Sequence, residues 1–546
     1  MSRFVALLQL SILSCGLVGS GCDTRASHSS PARRETAEGR SQPMNVVAEI
    51  ERLGGIVTSD EKIADKPVIG VDLHDTKATD TVLEHIAELP NLEFLNLGGT
   101  EVTDAGLEHI ARLQTLRSLD LWKCGITNAG LTHLKGLRNL QSLNVRRTKV
   151  TDSGLESLEA LANLRSLELP NTVTDAGLDH IKELGNLQSL DLMNTKVSDA
   201  GLRQLKGLAT LRSLALGKNI TDSGLRHLQG STALRSLILW DTKVTDSGLK
   251  HLEAMSQLQS LELPARVTDT GLGHLKDLRG LQSLKLLSAD VTDSGLKHLS
   301  QMTRLQELEL ANTKVTDNGL EYLKGVTSLE RLVLAGTDVG DAGLQHLEEL
   351  TKLQSLNLAN TNVTDIGLEH LRRLVRLRSL NLGRTKVTDR GLQCLEDMAV
   401  LESLDLSGTN VSDAGLQHLA RCARLEALYL AHTGVTDGGL EHLSGLTELR
   451  TLDLWECALT DAGLRHISAL ASLRYLNLGS SSGPRGITKV TDRGLEYLKQ
   501  MHGLRVLNLW GTQVTDAGIQ EVKEAVPNLS VDWNASARGT PRMKTE

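Results

Sequence analysis

Thirteen of the 17 histidines in this 546-residue chain occupy one recurring slot, most often written GLxH: His85, His109, His133, His180, His227, His251, His274, His298, His346, His370, His418, His442 and His466. A ladder of imidazoles could hold metal or respond to pH. The slot lies among leucines spaced three and four residues apart, which places each His on a helix. Neighbouring helices stand about 8–10 Å apart, whereas Zn–N bonds are about 2.0–2.1 Å, so adjacent imidazoles cannot share one ion. They read as a repeated helix-surface residue. Cys394 takes the His position between His370 and His418, a Cys/His combination used in nucleophilic catalysis, but the same spacing separates them. Cys422 falls where leucine is usual and reads as a buried thiol. The chain has no CxxC, phosphate-binding loop or strand-following GxGxxG, the signatures of metal or nucleotide sites. Neither an enzyme nor a cofactor or metal site is expected.

The aromatic residues are more informative. Only 2% of the chain is aromatic: five Trp, four Tyr and two Phe. Trp122, Trp240, Trp455 and Trp510 each directly follow an LxL triplet, Phe94 and Tyr475 precede one, and Tyr429 sits inside one. In a strand with its leucines turned to the core, these alternate positions face outward. Tyr429, Trp455, Tyr475 and Trp510 belong to four consecutive triplets, with His432 and Glu456 close behind and the insertion Ser480–Gly486 beside them. Exposed aromatics among polar residues have the composition of a binding hot spot, and a loop inserted at the rim of a regular scaffold commonly carries function. A smaller group joins Phe94, Trp122, Lys123, Arg146 and Arg147.

The element that positions these residues is a repeat, LxSLxLxxTxVTDAGLxHLxxLxx. From Leu73 to Leu509 its step is 24 residues nearly everywhere, 23 three times, and 31 once, between Leu478 and Leu509. The LxxLxL part alternates like a half-buried strand. The TDAGLxHLxxLxxL part has the pattern of an amphipathic helix, with Thr or Asp as its N-cap. One unit cannot bury its apolar face alone, but stacked units can. Met44–Val57 reads as a capping helix turning into a strand, and Pro527–Trp533 as a closing strand.

This pattern resembles the leucine-rich repeat family, most closely its cysteine-containing, F-box-associated type, since Cys124 and Cys457 stand where other units carry Thr. The resemblance implies an α/β solenoid of about 19–20 repeats, curved, with a parallel sheet on the concave face and helices on the convex face. The expected organisation is a signal peptide (1–21), a disordered tether (22–43), an N-terminal cap (44–66), the solenoid (67–533) and a tail (534–546). The 23 residues from Met44 to Lys66 are too few for an F-box.

Residues 1–22 carry one Arg, an apolar run from Phe4 to about Val18, and then Gly19-Ser20-Gly21-Cys22. This is the layout of an export signal and resembles the lipidation site of bacterial lipoproteins, which implies a lipid on Cys22. Gly19 stands where that family prefers Leu. Membrane attachment would then be by lipid alone, at the cell envelope, with no transmembrane helix in the mature chain. Slots inside the LxL triplets carry Asp120, Glu168, Asp191, Glu262, Glu309, Asp405 and Asp453 against one cation, Lys285. That floor, with a net charge of −8, suits a cationic or polar protein or peptide and not a nucleic acid. Three readings remain: a protein-recognition scaffold, an envelope carbohydrate binder, and a substrate receptor of the F-box type lacking its F-box.

Overall fold

A computed structural model describes residues 43–481 and 487–533. They fall into two compact units that divide after Lys243. In the first, helix Pro43–Arg52 leads into strand Ile56–Ser59, which pairs antiparallel with Val68–Asp72. Parallel three-residue strands follow, from Phe94–Asn96 to Ser236–Ile238. In the second, parallel strands run in register from Ser260–Glu262 to Ser530–Asp532. Both units have the leucine-rich repeat solenoid architecture, with strands on one side and helical turns on the other. Helix Pro43–Arg52 with strand Ile56–Ser59, and strand Ser530–Asp532, lie in the segments read as a cap and a closing strand. The signal segment, Cys22, the tether, the tail and residues 482–486 of the insertion lie outside the described residues.

The core is a column of leucines. In the repeat of Leu320, Leu323, Val326, Leu329, Leu332 and Leu334 each side chain is fully buried, and each such burial stabilises by about 1.5–3 kcal/mol. The helical segments are shorter than the expected amphipathic helix. Asp317–Leu320 is one α turn, and Glu321–Leu323 continues it as a 3₁₀ turn. The reason lies in the spacing. After the GL pair the apolar residues recur strictly every third position, and three residues per turn is the period of a 3₁₀ helix, whose side chains at i and i+3 eclipse.

The TD dipeptide also does more than cap. Thr364 is the N-cap, with extended backbone, and its hydroxyl accepts from the Ile366 amide. The next-but-one role belongs to Asp341, one repeat earlier. Its Oδ1 accepts from the Thr364 amide at 2.8 Å and its Oδ2 from the Thr364 hydroxyl at 2.6 Å. The same clasp joins Asp80 to Thr103, Asp246 to Thr268 and Asp413 to Thr436. The expectation that these aspartates cap helices is therefore corrected: Thr caps, and Asp fastens the following repeat. The glycine of TDxGL follows from this. A Cβ on Gly367 would stand 2.4 Å from Asp341 Oδ1 and 3.1 Å from Leu344 Cδ1, so only glycine lets the carboxyl group reach its partner.

Asn128 makes a comparable clasp, its Oδ1 accepting from the Thr151 amide and its Nδ2 donating to the Thr151 hydroxyl. Asp341→Asn should thus change stability by less than about 0.5 kcal/mol. Asp341→Ala, which strands the Thr364 amide, should cost about 1–3 kcal/mol, and Gly367→Ala about 1–3 kcal/mol. Urea unfolding with hydrogen exchange at the Thr364 amide checks this; equal effects of Asn and Ala at position 341 would refute the clasp as the source.

Candidate recognition surfaces at the strand ends

Strands whose LxL triplet holds Asp or Asn end in the same corner. The Asx residue inside LxL turns back on its own backbone: Asp405 Oδ1 accepts from the Ser407 amide, Asp453 Oδ1 from Trp455, Asn477 Oδ1 from Gly479 and Asn508 Oδ1 from Trp510, at 2.9–3.1 Å. This is the Asx-turn geometry that Asp and Asn both support. In most repeats the residue two beyond the triplet is left-handed, and its amide donates to a carbonyl of the next repeat. Arg384 (φ 55°) reaches Ser407, Gly408 (φ 68°) Ala431, His432 (φ 56°) Trp455 and Glu456 (φ 59°) Gly479. The acidic floor expected from sequence is therefore partly a set of turn-forming residues. Asp120 and Asp191 likewise accept from the Trp122 and Met193 amides.

In the second unit these corners frame an open groove of about 490 Å³ lined by Arg384, Ser407, Gly408, Ala431, His432, Asp453, Trp455 and Asn477. His432 is exposed and Trp455 half-buried. The indole rests on Gly479 so closely that a Cβ there would stand 2.4 Å from Trp455 Cζ3. Tyr429 pairs across the sheet with Asp405 on one side and Asp453 on the other. Burial pushes the Asp453 carboxyl and the Tyr429 and Tyr475 phenols upward.

Of the six residues expected here, His432 and Trp455 line the groove. Tyr429 and Tyr475 lie half-buried on the adjoining strands, and Trp510, in the turn after strand Val506–Asn508, does not enter it. Glu456 is a correction. It is 8% exposed, and its carboxyl group accepts from the Ser480 hydroxyl and from both the amide and hydroxyl of Ser481. Burial alone would push its pKa up, but these bonds hold it below the ordinary value. It anchors the start of the insertion, and three of its acceptor sites are taken by these two serines. Arg384, Ser407, Gly408, Ala431 and Asn477 were not singled out from sequence. Their signal was register, since each shares its slot with a residue that was.

In the first unit the expected group divides. Trp122, Lys123 and Arg147 come together, with Lys123 Nζ and Arg147 Cζ each 5.4 Å from the indole centroid. His74, not foreseen, places its ring 5.7 Å from Trp122. Arg146 instead turns to Glu168 (3.7 Å) and Asp191 (3.2 Å), and Phe94 lies half-buried between Gly70 and Ser118. Burial, reinforced by Asp191 and opposed by Arg146, raises the Glu168 pKa from 4.5 to about 7.

The nucleophile and metal readings find no support in the geometry. Burial pushes the thiols of Cys394, Cys422 and Cys457 up to about 11, and that of Cys124 upward, so none is a thiolate at neutral pH. Cys124 and Cys457 donate to the carbonyls of Leu97 and Leu430 in the preceding repeats. Several helix-surface histidines pair with a glutamate of the repeat before, as His274 does with Glu253 and His370 with Glu348 at 2.6 Å. Among the described residues no group of three or more His, Cys, Asp or Glu could hold a metal ion, and no helix is long and apolar enough to cross a membrane.

Three family models match segments of the chain: a leucine-rich repeat region over residues 71–209, and leucine-rich repeats over 351–411 and over 301–324 and 327–347. No curated protein sequence matches the chain. Among solved structures, the chain is similar to the leucine-rich repeat ectodomain of the plant membrane receptor kinase GASSHO1/SCHENGEN3 from Arabidopsis thaliana in complex with CASPARIAN STRIP INTEGRITY FACTOR 2. The identity is 19% and the TM-score 0.45, over 88% of this chain and 60% of that one. It is also similar to a leucine-rich repeat protein of Leptospira interrogans (19% identity, TM-score 0.41, 84% of this chain and 98% of that one) and to the mouse RP105/MD-1 complex (18%, 0.46, 80% and 75%).

A pH prediction follows from Glu168. Between pH 4.5 and about 7 the folded chain retains a proton that the unfolded chain has released. Stability contributed by this group is therefore lost as pH rises through that window. Unfolding midpoints measured from pH 4.5 to 8 should show Glu168→Gln flattening that part of the slope; an unchanged slope would contradict the assignment.

Proposed function

We propose that the protein is a non-catalytic scaffold that recognises an extended segment of another protein or peptide at the strand-end groove of its second unit. The observation that carries this reading is the groove itself. It combines an indole wall (Trp455), two exposed corner side chains, a guanidinium (Arg384) and an imidazole (His432), an amide (Asn477) and a carboxyl group (Asp453) within about 490 Å³. A few convergent polar groups beside an aromatic wall fix orientation while the wall supplies apolar contact. The row Asp405, Tyr429, Asp453 adjoins it in register. A phenol ring between two carboxyl groups suits a lysine or arginine side chain through charge and cation–π attraction, which favours a cationic or polar partner.

We further propose that the chain is exported and held at the cell envelope by a lipid on Cys22. The support is the sequence of residues 1–22. Metabolic labelling with a fatty acid and detergent-phase partitioning of the expressed protein test this, and both should be lost in Cys22→Ser. Retention in the detergent phase by that variant would refute the anchor.

The recognition reading is tested by selecting a random peptide library on the protein. Enriched peptides should contain Lys or Arg and should lose about tenfold or more in affinity with Trp455→Ala. Asp453→Asn keeps the Asx turn and should erase the basic preference. Enrichment that survives Trp455→Ala would move the site elsewhere, and binding on a glycan array in place of peptides would favour a carbohydrate ligand.

A further inference from the structure

The corner position two beyond the LxL triplet is left-handed in most repeats of the array. Asn194, Asn312 and Asn360 and Gly99, Gly336, Gly408 and Gly511 fill it in seven repeats. These are the two residue types that adopt positive φ most readily. Lys123 (φ 59°) and Arg147 (φ 57°) break that choice in successive repeats of the first unit. A long cation held where Asn or Gly is easier is an outlier that calls for a compensating role. Both side chains are exposed, and each lies against the Trp122 indole from its own repeat. Neighbouring cations are neutralised: Arg146 meets Glu168 and Asp191, and His74 meets Asp75 at 3.0 Å. Among the described residues no carboxyl group lies within ion-pair distance of Lys123 or Arg147.

The indole does two things here. It holds two flexible cations near one place, which lowers the ordering cost of binding. It also presents a half-buried aromatic surface between them. Corners of successive repeats follow the strand spacing of about 4.8 Å, so the two charges stand in line across the strands. We propose that Lys123, Trp122 and Arg147 form a second recognition site, one that takes an acidic peptide segment laid across the strand ends with successive carboxylates on the two cations. It lies in the first unit and does not depend on the groove of the second. In a chain of net charge −8, general electrostatics repels such a ligand, so attraction must be local.

The test uses the purified protein and an acetylated, amidated hexaglutamate peptide bearing a neutral fluorophore, with hexaglutamine as control and anisotropy as readout. Lys123→Asn/Arg147→Asn places in both corners the residue that other repeats use there, so the fold is retained, and circular dichroism verifies it. Hexaglutamate should bind in preference to hexaglutamine, weaken with salt, and lose about tenfold in affinity in the double variant. Trp122→Ala, which installs the residue found in that slot at Ala311 and Ala335, should weaken binding while leaving both charges. Equal affinity of the wild type and the folded double variant would overturn the proposal, as would no preference for hexaglutamate. Binding to vesicles containing an anionic phospholipid, with none to the peptide, would also overturn it.

Discussion

The clasp between one repeat's Asp and the next repeat's Thr is the interaction on which the remaining geometry rests. Three-residue strands offer few ladder bonds each, and short 3₁₀ turns hydrogen-bond poorly. The clasp supplies two further bonds per junction, one of them satisfying a backbone amide at the start of a helical turn where no internal partner exists. It also sets register. With Asp341 bound to both the amide and hydroxyl of Thr364, the following strand cannot slide relative to its predecessor without breaking both. The glycine at TDxGL and the leucine ladder on its inner side are then conditions for the clasp to close, which explains much of the chain's glycine content.

A fixed register turns every slot into a row. Residues 24 apart stand side by side, so a groove can be composed from single side chains contributed by successive repeats. Arg384, Gly408 and His432 form one such row, and Ser407, Ala431 and Trp455 another. Because the core is aliphatic and the corner bonds use only backbone and Asx groups, the identity of an outward side chain is free to vary without a folding penalty elsewhere.

Much of this was legible in the sequence. The repeat period, the strand positions, the cap and the outward setting of the tryptophans all follow from leucine spacing, which reports burial directly. What was missed follows from reading slots singly. The helical segments were read too long because leucines three and four apart resemble an α-helix until the strict threefold step is noticed. The TD aspartate was read as a cap because its true partner lies some 23 residues away, beyond any local motif. Glu456 looked like an exposed end-of-strand acid, and only the three-dimensional approach of Ser480 and Ser481 shows its oxygens already occupied. Asp405 and Asp453 looked like pure charge, whereas half of each carboxyl group serves the turn.

The corner rows show how function can be separated from scaffold within such an array. Asn and Gly at a left-handed position describe the backbone and nothing more, because they are the residues that conformation favours. Arg or Lys at the same position is disfavoured by the backbone, so it has to be retained by something outside the backbone. In the second unit Arg384 is such a residue, and it lines the groove that Trp455 walls. In the first unit Lys123 and Arg147 are two more, and both flank an indole. At Trp122 the aromatic takes the slot the sheet leaves open, and a charged residue, Lys123, takes the corner beside it at a conformational cost. Glu456 shows the converse, a disfavoured corner residue retained by contacts within the protein itself. The distinction between the two cases is whether the charged group's partners are already present, and that separates surface built to hold a ligand from surface built to hold a loop.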